Sequence, residues 1–82
     1  MTAADARKLA NAKPFRPFRV TTADGRKYEA PTVHDTLASV HHLLIGVDYD
    51  PKTGIAETME YINYEDIRSV ELVTYEPIPL AA

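Results

Sequence analysis

Apolar and polar residues alternate with a period of two along most of the chain after residue 17, and this period predicts β-strands. The clearest face is formed by every second residue of one strand: Leu43, Ile45, Val47 and Tyr49. Interruptions of the alternation by turn residues divide the pattern into five strands. The predicted strands are at about residues 18–24, 26–33, 40–49, 55–63 and 67–74.

Two turn sequences connect neighbouring strands. Asp24 and Gly25 predict a tight type I′ hairpin, since both central positions of that turn need a positive φ. Farther along, Pro51 and Gly54 predict a longer hairpin with a left-handed residue at its end. Pro31 cannot donate a backbone hydrogen bond, so its strand must lie at a sheet edge or form a bulge there. Residues 34–39 fit either a loop or one helical turn.

The first residues of the chain predict a helix at about 3–12. Thr2 is the predicted N-cap, and Asp5 follows in the first turn, where the helix dipole favours a carboxylate. Leu9 is the only large apolar residue of this segment, so the helix must dock through Leu9 and neighbouring alanines. At the opposite end, prolines 77 and 79 predict an extended tail over residues 75–82.

These elements predict a mainly β fold, in which an N-terminal helix precedes a strongly bent five-stranded antiparallel meander. A meander of this size closes most easily into a small barrel. The length of 82 residues fits a single domain over residues 1–82. A chain this short has limited stability, and it contains no cysteine for disulfides. We therefore expect a homo-oligomer, because assembly is the remaining common means of stabilisation.

Charge is distributed unevenly along the chain, whose net charge is −3. Residues 1–27 contain seven basic and two acidic residues, whereas residues 28–82 contain two basic and ten acidic residues. The asymmetry indicates either a surface that binds an anion at one end or attraction between copies of the chain. A short basic helix that simply faces solvent explains it equally well. We see neither a signal peptide nor a long apolar run, so we expect a cytoplasmic protein without membrane contact.

The order of these motifs resembles the Sm-like family, especially the bacterial Sm-like RNA chaperones, and SH3-like barrels share the spacing. A helix precedes the strand at Phe18, the Asp24-Gly25 turn and a second alternating strand. Near the other end, residues 62–70 have the spacing of the family's second motif: a strand, a tight 3₁₀ break, then an isoleucine and a valine. Residues 14–18 (Pro-Phe-Arg-Pro-Phe) also resemble a group of short, uncharacterised bacterial proteins. The resemblance implies a small barrel that assembles with itself and binds RNA.

One departure from the family pattern concerns the RNA site. The bacterial RNA chaperones carry a Lys-His pair after the second motif, whereas this chain has Tyr64 and Glu65, followed by Asp66. Carboxylates repel phosphates, so the usual uridine pore would be disabled. The remaining candidates for nucleic-acid contact are five basic residues and one tyrosine: Arg7, Lys8, Arg16, Arg19, Lys27 and Tyr64. For Tyr28, Tyr49 and Tyr61 we favour packing in the core or along a barrel seam.

Catalytic and metal sites are not indicated. His41 and His42 are adjacent in a strand and point to opposite faces, so they cannot share an ion within one chain. His34 has Asp35 beside it but no candidate nucleophile. The carboxylates that flank the 50–54 turn fit solvated charges better than a hydrolytic pair. We expect neither enzyme activity, nor a metal, nor a cofactor.

The sequence therefore predicts a noncatalytic Sm-like binding module that self-assembles, with RNA as a candidate ligand of its basic N-terminal part. The alternative is a protein–protein adaptor or regulatory subunit without nucleic-acid binding. We expect intersubunit contacts at residues 59–61 and 70–72, because these predicted edges contain neither lysine nor an interior proline to prevent strand pairing.

Overall fold

The computed structural model describes residues 1–73, which form one helix and six strands in two antiparallel sheets. The elements are α1 (Ala3–Ala10), β1 (Phe18–Thr22), β2 (Lys27–Ala30), β3 (Thr36–Ala38), β4 (His42–Tyr49), β5 (Ala56–Asn63) and β6 (Ile67–Leu72). Two 3₁₀ turns, Val33–Asp35 and Tyr64–Asp66, precede β3 and β6. The mainly β class with an N-terminal helix is confirmed. The predicted tail at 75–82 lies outside the described residues.

Each sheet has three strands. In the first sheet β1 is central and pairs with β2 and β6, and in the second β4 is central and pairs with β3 and β5. The two sheets share no ladder of hydrogen bonds among residues 1–73, so this part of the chain contains no closed barrel. The predicted single five-stranded meander is therefore replaced by six strands in two sheets.

The additional strand comes from residues 34–39, the segment whose conformation the sequence left open. Pro31 has no amide hydrogen to donate, and β2 ends at Ala30, immediately before it. The chain then makes the first 3₁₀ turn, which the Thr36 hydroxyl supports by donating to the carbonyl oxygen of Thr32 at 2.8 Å. Residues 36–38 pair with residues 43–45 of β4. The segment is thus both a helical turn and a short strand.

Helix α1 begins and docks as its sequence predicts. The Thr2 hydroxyl accepts a hydrogen bond from the Asp5 amide at 3.1 Å, which satisfies one free N–H group of the first turn. Ala6 and Ala10 are buried, and Leu9 packs against the core at its margin. The helix packs on β3 and β4. It ends at Ala10, two residues before the predicted end.

One apolar core joins the helix to both sheets. Its largest fully buried side chains come from β1 and β4: Phe18, Val20, Leu43 and Ile45. Smaller contributions come from Ala6, Ala30, Ile62 and Tyr64. Because the helix and both sheets supply buried residues, the sheets are held together by packing rather than by strand pairing.

The two hairpin turns both place glycine at a left-handed position. Gly25 has a φ of +88°, and its amide donates to the carbonyl oxygen of Thr22 at 3.0 Å. Asp24 does not have a positive φ. The predicted type I′ turn is therefore wrong, and the geometry is that of a type I turn followed by a left-handed glycine. The second turn has Gly54 at a φ of +70°, as predicted.

Candidate functional site

Tyr64, the tyrosine that the sequence places among the nucleic-acid contacts, lies in the core and is only 7% exposed. Its hydroxyl donates to the carbonyl oxygens of Ser39 and His42, at 2.6 and 2.8 Å. Burial raises the pKa of this phenol. The side chain thus ties the second 3₁₀ turn to the beginning of β4, and no face of its ring is free to stack on a base.

Two other tyrosines, predicted to pack in the core or along a barrel seam, are exposed. Tyr61 is 66% exposed, and Tyr49 is also exposed, so neither packs in the core of this chain. Tyr28 packs partly against the core, as predicted.

Arg19 is held between two carboxylates on the outer face of the first sheet. It is opposite Glu29 on β2 and Glu71 on β6. Its Nε donates to Glu29 Oε1 at 3.0 Å, and its Nη1 donates to Glu71 Oε1 at 3.2 Å. The hydrogen bonds with Glu29 and Glu71 raise the pKa of Arg19. A guanidinium that two carboxylates already neutralise has little attraction left for a phosphate.

The other basic candidates lie on different elements. Arg7 and Lys8 are exposed on α1, where they line a shallow surface with Ala4 and Asn11. Arg16 is exposed in the segment between α1 and β1, and Lys27 is exposed on β2. None of these four makes an ion pair with a described residue. Four of the five basic candidates are therefore without an ion pair among residues 1–73, and of these four only Arg7 and Lys8 line a common surface.

The edges of the two sheets nearest the second 3₁₀ turn are open. β5 pairs only with β4, and β6 pairs only with β1, within the described part of the chain. Leu72 is opposite Phe18, so the two side chains point to the same face of the first sheet. Phe18 is completely buried, whereas Leu72 is 48% exposed. Leu72 is thus a large apolar side chain on the core-facing side of an edge strand that nothing in residues 1–73 fully covers.

An apolar row crosses the outer face of the second sheet. Leu37 is opposite Leu44, and Leu44 is opposite Tyr61, so the three side chains share one face. Leu37 and Tyr61 are exposed, and Leu44 is half-buried. The His42 ring lies edge-on to the Tyr61 ring, with 5.9 Å between centroids. Exposed apolar groups arranged in a row are typical of protein contact surfaces.

The sequence did not predict this row, because residues 34–39 had no assigned strand and Leu37 therefore had no partner. The Leu44–Tyr61 pair follows from the register of the hairpin around the 50–54 turn. Each residue forward along β4 is matched by one residue back along β5, so the pairing near the turn fixes the pairing farther away. That register was available from the turn sequence. It would have placed Tyr61 on the opposite face from Ile62, and so outside the core.

A cleft of about 340 Å³ lies where the β1–β2 turn approaches β5 and the second 3₁₀ turn. Arg26 lines it and donates from Nε to Asp24 Oδ2 at 2.8 Å. Hydrogen bonding and attraction to Asp24 raise the pKa of Arg26. The Ala23 amide donates to the Asp66 carbonyl oxygen at 2.8 Å across the cleft. The cleft thus already holds a cation paired with an anion, and residues of both sheets line it.

The histidine and carboxylate side chains are dispersed over the described part of the chain. Within residues 1–73, no three histidine, aspartate or glutamate side chains are arranged to hold a metal ion. His34 and His41 are exposed. No helix in the described part of the chain has the length and apolar character needed to span a membrane.

Comparisons with protein-family models, with curated proteins and with solved structures each gave no match.

Proposed function

We propose that this chain is a noncatalytic, Sm-like binding module that assembles with copies of itself through β5 and β6. The observation that carries the proposal is the state of these two strands: within residues 1–73 each has a partner on one side only, and they expose Tyr61 and Leu72. Unpaired strand edges bearing apolar side chains readily pair with another chain. Contact with protein, rather than chemistry on a substrate, is the role that such surfaces support.

Four features support the Sm-like assignment. Helix α1 precedes the strands, and a glycine turn joins β1 to β2. A 3₁₀ turn at Tyr64–Asp66 lies between β5 and β6, where the resemblance expects it. Ile67 and Val70, the isoleucine and valine of the second motif, both pack against the core.

The backbone of β6 is suited to strand addition. The Val73 amide donates to the Pro17 carbonyl oxygen at 2.9 Å, so this amide points toward the side of β1. Amide groups alternate in direction along a strand, and those of Val70 and Leu72 therefore point away from β1. An incoming strand would find these donors unpaired.

The assembly is tested by sedimentation velocity over a range of protein concentrations. We expect the unmodified protein to form oligomers, and we expect Leu72→Glu to shift the distribution to monomer, since a buried unpaired charge is costly at an interface. The matched control is Ile55→Glu, an apolar-to-acidic change in the exposed β4–β5 loop. A monomer at every concentration would remove the proposal, as would equal behaviour of the two variants.

A second candidate function is weak nucleic-acid binding through the free cations. The observation that favours it is the exposure of Arg7, Lys8 and Arg16 without carboxylate partners among the described residues. Binding of this kind depends on counterion release and is strongest at low salt.

Fluorescence anisotropy with a single-stranded RNA at about 50 mM salt tests this second function. If phosphates bind the helix, Arg7→Glu combined with Lys8→Glu weakens binding to all sequences and flattens its salt dependence. The control is Arg68→Glu, a single change from a basic to an acidic residue on β6 rather than on α1. Absence of binding by the unmodified protein would leave a protein–protein adaptor as the competing function.

A further inference from the structure

The outer face of the second sheet carries two carboxylates beside its apolar row. Asp35 lies next to Gly46 of β4, since a Cβ at Gly46 would be 2.7 Å from the Asp35 Cβ. Gly46 is two residues after Leu44 and therefore shares the face of the row. Glu57 is four residues before Tyr61 on β5, which places it on the same face. Neither carboxylate has an ion pair among residues 1–73, so the face is both apolar and negative.

The charge of this face limits the kind of surface that can cover it. Leu37 and Tyr61 are 59% and 66% exposed, so contact with another surface would remove apolar area from water. Two copies of the face packed on each other would bring the carboxylates of both copies together, and like charges at an interface are costly. A surface that combines cations with apolar atoms would instead neutralise the carboxylates and cover the row.

Helix α1 carries a surface of that kind. Arg7 and Lys8 are exposed and have no ion pair among residues 1–73. They line a shallow surface with Ala4 and Asn11. The methylene stems of arginine and lysine lie readily on apolar side chains while their charged ends reach carboxylates. The sizes also agree: Ala4 to Asn11 covers about 10 Å along the helix axis, and the apolar row covers two strand spacings, which is again about 10 Å.

The exposed surface of α1 and the outer face lie on different sides of one chain. Ala6 and Ala10 are buried, and the helix packs on β3 and β4 from the side of the core. Leu43 and Ile45 are buried in the same core, whereas Leu44, which alternates with them along β4, points the other way. The helix therefore covers the inner face of the second sheet, and contact between its exposed surface and the outer face requires a second copy.

We propose that α1 of one copy packs on the outer face of the second sheet of another copy, with Arg7 and Lys8 placed against the two carboxylates of that face. The two surfaces differ, so the contact is head-to-tail. It does not depend on strand pairing through β5 and β6. Because exposed ion pairs contribute little each, this contact forms at higher protein concentrations than strand pairing does.

Charge exchange tests the pairing of the two surfaces. Every protein in this experiment carries Leu72→Glu, so that strand pairing does not contribute. A helix variant adds Arg7→Glu and Lys8→Glu, and a sheet variant adds Asp35→Lys and Glu57→Lys. Each variant alone should be monomeric in sedimentation equilibrium, because its two surfaces then have like charge. A mixture of the two should associate at least about tenfold more tightly than either alone, and this association should be lost between about 50 and 500 mM salt.

The matched control for the sheet variant carries Glu65→Lys and Asp66→Lys, which make the same change in charge on the second 3₁₀ turn. Its helix cations and its outer face are intact, so it should associate with itself as the protein with Leu72→Glu alone does. The inference is overturned if the control loses self-association as the sheet variant does. It is equally overturned if the mixture associates no more tightly than its two components.

A neutral substitution tests the apolar part of the contact. Leu37→Ser in the protein with Leu72→Glu should weaken association about tenfold, because it removes apolar area from the contact. The control is Val40→Ser, since Val40 is 76% exposed and lies between β3 and β4, outside the row. Equal effects of the two substitutions would contradict the proposal. Weakening by Leu37→Ser without any effect of the charge variants would also contradict it, because the outer faces would then pack on each other and the helix would not be the partner.

Discussion

The Tyr64 hydroxyl lies in the core and is hydrogen-bonded to two backbone carbonyl oxygens. Those carbonyls belong to Ser39 and His42, which flank the turn into β4. The turn is held further by the Ser39 amide, which donates to the His42 carbonyl oxygen at 2.9 Å. The phenol thus joins the second 3₁₀ turn to a turn 25 residues earlier in the chain.

Removing this hydroxyl should destabilise the fold and change its response to alkali. Tyr64→Phe leaves two buried acceptors with fewer donors, which costs about 1–2 kcal/mol in the free energy of unfolding. The raised pKa of Tyr64 means that its stabilising contribution is complete below the pKa of an unfolded tyrosine, near ~10, and is lost as the pH rises through the folded value.

Urea unfolding at several pH values between ~8 and ~11 checks both parts of this prediction. The unmodified protein should lose more stability over this interval than Tyr64→Phe does, and exposed Tyr61→Phe is the matched control. If the free energy of unfolding changes with pH in the same way in all three proteins, ionisation of the Tyr64 phenol does not destabilise the fold.

Gly46 is required by a close approach rather than by an unusual φ. A Cβ at this position of β4 would lie 2.7 Å from the Asp35 Cβ and 2.8 Å from the Ala56 Cβ. Such distances are well below ordinary contact, so neighbouring backbone must move. We expect Gly46→Ala to destabilise the protein by about 1–3 kcal/mol.

A double-mutant cycle distinguishes this steric effect from a destabilisation by alanine at position 46 that does not depend on its contacts. Adding Ala56→Gly removes one of the two opposing atoms, and the pair should therefore show a favourable coupling of about 0.5–1 kcal/mol in chemical denaturation. Additive effects would contradict the contact.

At the scale of elements, Arg19 connects all three strands of the first sheet, since it lies on β1 and pairs with Glu29 on β2 and Glu71 on β6. Its side chain is about one-third exposed, so solvent weakens both ion pairs. We expect Arg19→Met to lower the melting temperature slightly at low salt, and we expect this difference to shrink as salt screens the charges.

Thermal unfolding at low and high ionic strength measures this difference. The control is Arg68→Met on β6, where the arginine is exposed and forms no ion pair with a described residue. If the two variants respond to salt alike, the ion pairs of Arg19 do not contribute to the stability of the first sheet.

The elements that could be predicted are those with strong local signals. Helix α1 has its N-cap in Thr2, and β4 and β5 have long alternating patterns around a proline–glycine turn. Strand β3 could not be predicted, because three residues contain too little alternation and their pairing with β4 depends on the preceding 3₁₀ turn.

The candidate site was harder to predict than the fold, for a reason that Arg19 and Tyr64 share. Residue type indicated that both were available to a ligand, but tertiary contacts decide availability. The partners of Arg19 include Glu71, which is 52 residues away. Leu72 shows the converse: its edge position was predicted from the pattern, and its exposure became visible only with the register of β1 and β6.

At the scale of the whole molecule, the outer faces of the two sheets differ in polarity. The outer face of the first sheet carries the ion pairs of Arg19, whereas the outer face of the second carries the row of Leu37, Leu44 and Tyr61. Apolar rows gain more from contact with another protein than solvated ion pairs do.

The central position of β1 also has a consequence for the synthesis of the chain. All pairings of the second sheet join strands that are neighbours in sequence, within residues 36–63, so they can form as soon as that stretch has left the ribosome. Strand β1 is made much earlier, yet one of its two partners, β6, is made last. During translation the second sheet can thus be complete before the first, which needs residues 67–72.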